Sequence, residues 1–121
     1  MKPRAVDFVS YNVSDMARAV AFYRDVLGLE LPTPWGGEDS AFPEFEVGGT
    51  TISLTSFPEL PGGAIVALAV EDARAAIEEL RSKGVSILME PMETSVCYLA
   101  LIADPNGNRI VIHQRKDGTA G

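Results

Sequence analysis

The 121-residue sequence has few of the residues on which disulfide, thiol and imidazole chemistry depend, with one cysteine and one histidine. The lone Cys97 cannot form a disulfide within the chain, which agrees with a reducing compartment. No apolar run approaches the ~20 residues that a membrane-spanning helix needs, and the start of the chain lacks the apolar stretch of a signal peptide. We therefore expect a cytoplasmic protein with no membrane partner.

Basic residues are also scarce, because 10 Lys and Arg stand against 17 Asp and Glu and give a net charge of −7. Non-specific binding to nucleic acid requires basic surface that replaces phosphate counterions, so we expect no nucleic-acid partner. The 46% hydrophobic and 22% charged content is typical of a soluble globular protein, and the length is that of one domain with a real core. A small molecule is the expected partner.

The sequence does contain an internal repeat. Residues 9–31 and 66–88 share the same order of features. An apolar strand that ends in Val is followed by an Ala-rich amphipathic helix with an acidic residue at its start, a glycine that ends the helix, and a second strand. Val13 aligns on Val70 with an offset of 57 residues. A repeat of this kind decides the architecture, and it predicts a binding site between the two copies.

Each copy predicts the same order of elements. The helices begin at caps Ser14 or Asp15 and at Asp72, and they end at Gly28 and Gly84. Period-two alternation and turn residues predict strands at 9–13, 29–31, 42–47, 50–55, 64–70, 85–89, 97–103 and 108–114. Two further segments are predicted as a Pro-containing connection (90–93) and a frayed polar tail (116–121).

These elements predict an α+β fold of two tandem βαβββ modules, which form a curved mixed sheet around a concave cleft. Module one covers about residues 5–56 and module two residues 64–115, with a Pro- and Gly-rich linker at 57–63 between them. Gly48-Gly49 suits a tight type I′ hairpin turn, which sets Glu44 opposite Ser53 and leaves Phe45 and Val47 to join Leu54 under the helix. The turn at 104–107 fits type I, with Pro second and Gly fourth. The whole chain is predicted to form a single domain.

Three motifs resemble the vicinal-oxygen-chelate superfamily, which includes glyoxalase I, bleomycin-resistance proteins and extradiol dioxygenases. The motifs are Asn12-Val13-Ser14-Asp15, Phe22-Tyr23-Arg24-Asp25-Val26-Leu27-Gly28 and Asp104-Pro105-Asn106-Gly107-Asn108. The resemblance covers essentially the whole chain. It implies the fold above and a homodimer, but the shared fold hosts isomerases, dioxygenases, lyases and sequestering proteins.

The resemblance also implies four metal-ligand positions in metal-dependent members, and here they correspond to Phe8, Ser53, Ile65 and Val111. None is a His, Glu or Gln, whereas a divalent cation needs imidazole, carboxylate or similar donors. We therefore predict no metal and no other cofactor. The alternative is a divalent metal in a rearranged site around His113 with Glu44 or Glu46.

If the strand parity of these positions holds, one open face of the sheet lines the cleft. The predicted ligand-binding residues are Phe8, Ser10, Asn12, Trp35, Phe42, Glu44, Glu46, Ser53, Ile65, Cys97, Arg109, Val111 and His113. Trp35 is predicted to lie at the rim of the cleft, where its ring could stack on a planar ligand. Alternatively, Trp35 is buried in the core.

The candidate catalytic residues are His113 and Glu44. His113 would serve as a general base, although a strand histidine is more often solvated or structurally bonded. Cys97 is predicted diagonal to His113, which raises a thiolate and imidazole pair, but free cysteines are usually small buried hydrophobes. Glu44 and Glu46 could bind a cationic ligand or act as a base, or they could simply form a solvated face of the strand. Arg109 could pair with an anionic group of the ligand or with one of these glutamates.

Three functions remain open at this point. The favoured one is a metal-independent protein of the bleomycin-resistance type that binds an aromatic or cationic small molecule without turning it over. The second is an enzyme of the same superfamily, a lyase, isomerase or dioxygenase, with a rearranged metal site. The third is a non-catalytic interaction module.

Overall fold

The computed structural model describes residues 1–30, 42–57 and 63–121. These residues form seven strands and two α-helices, and the chain divides into two compact units. One unit is Phe8–Ala64; the other combines Met1–Asp7 with Ile65–Gly121. The division follows the sequence repeat, except that the first seven residues belong with the second copy. Within the described ranges, no helix is long and apolar enough to cross a membrane.

The Phe8–Ala64 unit contains most of strand β1 (Ala5–Asn12), helix α1 (Met16–Ala21), β2 (Glu44–Val47) and β3 (Thr50–Thr55). The strand order is β2-β3-β1, in which β2 runs antiparallel and β1 parallel to β3. The predicted hairpin at Gly48 and Gly49 is present, and both glycines have positive φ.

Helix α1 starts where the sequence predicts, but its α-helical part ends at Ala21, before the predicted stop at Gly28. Asp15 is the N-cap, and its side chain accepts a hydrogen bond from the Arg18 N–H at 3.1 Å. After Ala21 the helix widens into a π-helical turn at Phe22–Val26, and Gly28 then takes φ of 75°. A glycine tolerates this left-handed conformation without the steric cost that a Cβ adds.

The core of this unit lies between α1 and one face of its strands. Val20 from the helix packs with Phe45 and Leu54 from the strands, and the last two side chains are fully buried. Val47, predicted to join them, is 41% exposed. Val47 is the last residue of β2, next to the Gly-Gly turn.

The second unit contains β4 (Gly63–Ala69, from Ile65), α2 (Ala73–Ser82), β5 (Ser86–Glu93), β6 (Cys97–Ala103) and β7 (Arg109–Arg115). Its strand order is β4-β7-β6-β5, with β4 and β7 parallel and the remaining pairs antiparallel. The α+β class and the mixed strand pairing predicted from the sequence are confirmed.

Helix α2 covers one face of these strands. Asp72 caps it by accepting a hydrogen bond from the Ala75 N–H at 3.0 Å. Its buried residues Ala73, Ala76 and Ile77 pack with residues of the sheet that include Ile112, which is fully buried. Alternation along β7 therefore places Val111 and His113 on the face away from α2.

The structure differs from the predicted elements in three places. Leu29 and Glu30 are not in a strand, and the last residue of that predicted strand lies outside the described residues. The predicted connection at 90–93 continues β5 through Pro91, which is tolerated because β5 is an edge strand with a shifted register between Met89 and Met92.

The segment at 116–121, predicted to be a frayed tail, is held against its own unit. The Gly118 carbonyl accepts from the Arg4 guanidinium at 3.2 Å, and the Gly121 N–H donates to Asp7 at 2.8 Å. Composition showed only that the tail is polar, and these hydrogen bonds depend on tertiary placement.

Candidate functional site

In the Phe8–Ala64 unit, the predicted binding residues occupy the strand face away from α1. The β2–β3 register pairs Glu44 with Ser53, and the β1–β3 register pairs Ser10 with the same Ser53. Phe45 and Leu54 alternate with these residues and face the helix. The register therefore confirms the predicted pairing across the Gly-Gly hairpin and forms one row of polar side chains, Glu44, Ser53 and Ser10.

The rows on either side of this one are internally hydrogen-bonded. Asn12 Oδ1 accepts from Thr55 Oγ1 at 3.1 Å and from the Phe57 N–H at 2.9 Å, while its Nδ2 donates to the Phe57 carbonyl at 3.2 Å. On the other side, the Thr51 hydroxyl donates to Glu46. Asn12 thus holds the chain after β3, and Glu46 is engaged by its cross-strand neighbour.

The middle row differs, because it contains a buried hydroxyl without a partner. Ser10 is 3% exposed, and its Oγ has no hydrogen-bond partner among the described residues. Its register partner Ser53 is also buried. A buried, unsatisfied hydroxyl costs about 1–3 kcal/mol, so native structures rarely keep one without a reason.

In the other unit, the main polar feature is a buried carboxylate and imidazole pair. Asp7 Oδ2 lies 2.6 Å from His113 Nδ1. Since a carboxylate only accepts hydrogen bonds, Nδ1 is the nitrogen that carries the proton in this pair. Asp7 Oδ1 accepts the Gly121 N–H and lies 3.5 Å from Arg115 Nη2. The Asp7 side chain is fully buried and that of His113 nearly so.

Such a pair fixes the ring orientation and the tautomer of the histidine. It can therefore hold His113 as a structural hydrogen-bond donor or prepare it for proton transfer. Sequence reasoning singled out His113 but missed Asp7. The available signal was a carboxylate inside the apolar strand β1, a place where Asp is depleted.

Cys97 is buried, and its Sγ lies 3.2 Å from Thr94 Oγ1. The β6–β7 register pairs Leu99 with His113 and Cys97 with Arg115, so the predicted diagonal placement of Cys97 and His113 is confirmed. The Thr94 contact ties the thiol to the turn before β6. A nucleophilic role for Cys97 stays a prediction.

The remaining predicted residues fall in both units. Ile65, Arg109 and Val111 lie on strands of the second unit, where Ile65 is buried. Phe42 is exposed just before β2, and its ring centroid lies 6.0 Å from that of Phe57. Trp35 lies outside the described residues. The predicted cleft stays a prediction.

The four positions that the resemblance assigns to metal ligands do not fit a metal ion. They supply a phenyl ring, a hydroxyl and two aliphatic groups, from Phe8, Ser53, Ile65 and Val111. A divalent cation in this family of sites needs imidazole or carboxylate donors. Across the described residues, no group of three or more His, Cys, Asp and Glu side chains is placed to hold a metal.

Comparison with known proteins gives a family match over most of the chain. The family model described as the Glyoxalase/Bleomycin resistance protein/Dioxygenase superfamily matches residues 5–112. Lactoylglutathione lyase of Salmonella typhimurium is 29% identical over 124 residues, which cover 91% of this chain and 92% of that protein.

Two further comparisons extend this result. Metallothiol transferase FosB of Staphylococcus epidermidis is 32% identical over 62 residues, covering 51% of this chain and 42% of that protein. A variant of methylmalonyl-CoA epimerase from Streptomyces coelicolor, in complex with 2-nitronate-propionyl-CoA, superimposes with a TM-score of 0.76 at 17% identity. That structure covers 99% of this chain and 100% of its own, and at this identity it shows the fold alone.

Proposed function

Because the chain belongs to the glyoxalase/bleomycin resistance protein/dioxygenase superfamily, we propose that it binds a small organic molecule without the metal centre of the family's metal-dependent members. The observation that carries this proposal is the side-chain chemistry at the four implied ligand positions. Binding then depends on direct hydrogen bonds and apolar contacts from the strand faces. No step of the proposed function uses a metal ion.

The polar row of the Phe8–Ala64 unit supports the binding part of the proposal. Ser10 and Ser53 are buried, and the Ser10 hydroxyl lacks a partner among the described residues. A ligand atom that bonds this hydroxyl would remove its desolvation cost. Ligand sites in proteins are mostly apolar with a few placed polar groups; this row supplies polar groups, and Phe8 lies two residues before Ser10 on β1.

The test uses ligands suggested by the names of the relatives: lactoylglutathione, methylmalonyl-CoA and bleomycin. Each is titrated into the protein by calorimetry, first with EDTA present and then with added Ni²⁺ or Zn²⁺. We expect saturable binding of at least one ligand class in EDTA, with an affinity that added metal leaves unchanged. Binding that disappears in EDTA and returns with metal contradicts the metal-independent proposal.

The second candidate is a metal-independent enzyme of the superfamily, and two observations favour it. The relatives are named as a lyase and a transferase, and a structural neighbour as an epimerase. The Asp7 and His113 pair is the arrangement that prepares an imidazole for general acid–base work. Such an enzyme would move a proton at a carbon next to a carbonyl group.

Proton exchange distinguishes the two candidates. The enzyme candidate predicts that methylmalonyl-CoA or the glutathione hemithioacetal of methylglyoxal exchanges its carbon-bound proton for deuterium in D₂O, followed by NMR. Asp7→Asn would then slow exchange and change its pH profile while leaving ligand affinity close to that of the wild type. Binding without exchange supports the sequestering protein.

A homodimer, as the family resemblance implies, is part of the proposal. Light scattering coupled to size-exclusion chromatography tests it over a range of protein concentrations. A mass of twice 13.0 kDa supports the dimer, and a mass of one chain at all concentrations contradicts it.

A further inference from the structure

We propose that the row of Glu44, Ser53 and Ser10 is an anchoring subsite for an N–H donor group of the ligand, above all a protonated amine. This inference rests on the proposed function and deepens it by naming the chemical group that is bound. The strand register, the burial and the hydrogen bonds of the Phe8–Ala64 unit support it.

The side chains of Glu44, Ser53 and Ser10 form a single surface. Glu44 pairs with Ser53 across the antiparallel β2–β3 ladder, and Ser53 pairs with Ser10 across the parallel β3–β1 ladder. Directly paired residues of neighbouring strands project on the same face of a sheet, about 5 Å apart. One small ligand group can therefore reach both hydroxyls.

The hydrogen bonding of this row differs from that of the neighbouring rows. Asn12 with Thr55, and Glu46 with Thr51, bond each other within their rows. Ser10 is as buried as Asn12, yet its hydroxyl has no partner within the described parts of the chain. A buried hydroxyl without a partner needs an explanation, and a ligand group that donates a hydrogen bond to Ser10 supplies one.

The acceptor groups and the charge of the row indicate which ligand group it binds. A serine hydroxyl can accept a hydrogen bond, and a carboxylate can only accept. Glu44 is half-buried at one end of the row, and the whole chain carries a net charge of −7. An anionic ligand group placed on Ser53 would be repelled by Glu44, whereas an ammonium group is attracted by it and supplies donors for both hydroxyls.

The experiment compares three probes that share one ring: benzylamine, benzyl alcohol and benzoate. Binding is followed by ¹H–¹⁵N chemical-shift titration of the full chain with EDTA present, at the amides of residues 10, 44 and 53. We expect benzylamine to bind most tightly and benzoate least. Ser10→Ala and Ser53→Ala should each weaken benzylamine roughly tenfold.

Glu44→Gln separates charge from hydrogen bonding. This variant should weaken benzylamine by roughly tenfold and leave benzyl alcohol within about twofold of the wild type. Ser86→Ala is the matched control, because Ser86 is an exposed strand serine of the other unit. Circular dichroism of each variant confirms that it is folded, and two independent serine variants keep the test valid if one fails to fold.

The inference is overturned if benzoate binds as well as benzylamine, or if both folded serine variants keep wild-type affinity. It is also overturned if the shifts do not saturate or arise at unrelated amides. Saturable binding of lactoylglutathione, methylmalonyl-CoA or bleomycin in EDTA, without a preference for amines, would leave the proposed function intact and refute this subsite alone. If neither set of molecules binds, the proposed function falls with it.

Discussion

Replacing Asp7 tests a polar contact made by a fully buried carboxylate. Its carboxylate receives the Gly121 N–H at 2.8 Å, lies 2.6 Å from His113 Nδ1 and lies 3.5 Å from Arg115 Nη2, and its side chain is fully buried. Asparagine has nearly the same shape but only one oxygen. Its amide nitrogen must therefore face one of the two close donors.

The expected loss follows from that geometry. Asp7→Asn removes at least one short hydrogen bond to a carboxylate, which is worth about 1.5–3 kcal/mol. Asp7→Leu leaves both close donors buried without a partner, and we expect a loss of about 3–5 kcal/mol, the cost of removing one member of a buried polar pair. The order of stability is therefore wild type, Asp7→Asn, Asp7→Leu.

The assay is urea unfolding at pH 7.5 and 25 °C, with the slope compared between variants to check that the same surface unfolds. A double-mutant cycle with His113→Gln isolates the pairwise energy of Asp7 and His113. Asp25→Asn is the control, because Asp25 is an exposed residue whose ion pair with Arg24 joins chain neighbours. If Asp7→Asn is as stable as the control, the buried contact is not made in solution.

Three further predictions concern stability. Leu54→Ala should lower the free energy of unfolding by about 2–5 kcal/mol in urea, because Leu54 is fully buried under α1; a loss below 1 kcal/mol would show that this core is not formed. Gly84→Ala should lower the free energy of unfolding by about 1–2 kcal/mol, because alanine is strained at the Gly84 φ of 81°. No atom lies within 4 Å of the added Cβ, so a steric clash adds nothing to this loss. Equal stability of the variant and the wild type would refute the backbone conformation. Hydrogen bonds from the Asn108 side chain first, then from the Asn108 backbone N–H, and then from the Asn106 and Gly107 N–H groups lower the pKa of Asp104. Its contribution is therefore present above the ordinary aspartate pKa and is lost as pH falls through the lowered value; carboxyl-carbon NMR should show this lowered pKa, and Asn108→Ala should raise it.

The sequence repeat was sufficient to predict the α+β class, both helix caps and the strand register. Asp15 and Asp72 cap their helices because short-range chemistry decides a cap. Glu44 lies opposite Ser53 because a Gly-Gly hairpin fixes the pairing of its two strands. These features depend on residues close in sequence.

The sequence was less informative about burial. Alternation in β1 separates Tyr11 from Ser10 and Asn12, but it does not tell which face becomes covered. The structure places Ser10 and Asn12 on the predicted face, away from α1, but it buries both side chains there and leaves Tyr11 38% exposed. Asp7 was missed for a related reason, since its partners His113 and Gly121 are more than 100 residues away in sequence.

We propose above that this superfamily member binds its ligand without a metal centre at the four implied positions. The most direct test is titration of the metal-free protein with Ni²⁺, Zn²⁺, Co²⁺ and Mn²⁺, with bound metal measured by mass spectrometry after dialysis. We expect far less than one ion per chain and unchanged binding of the tightest ligand from the panel. One tightly held ion per chain, required for ligand binding, would contradict it.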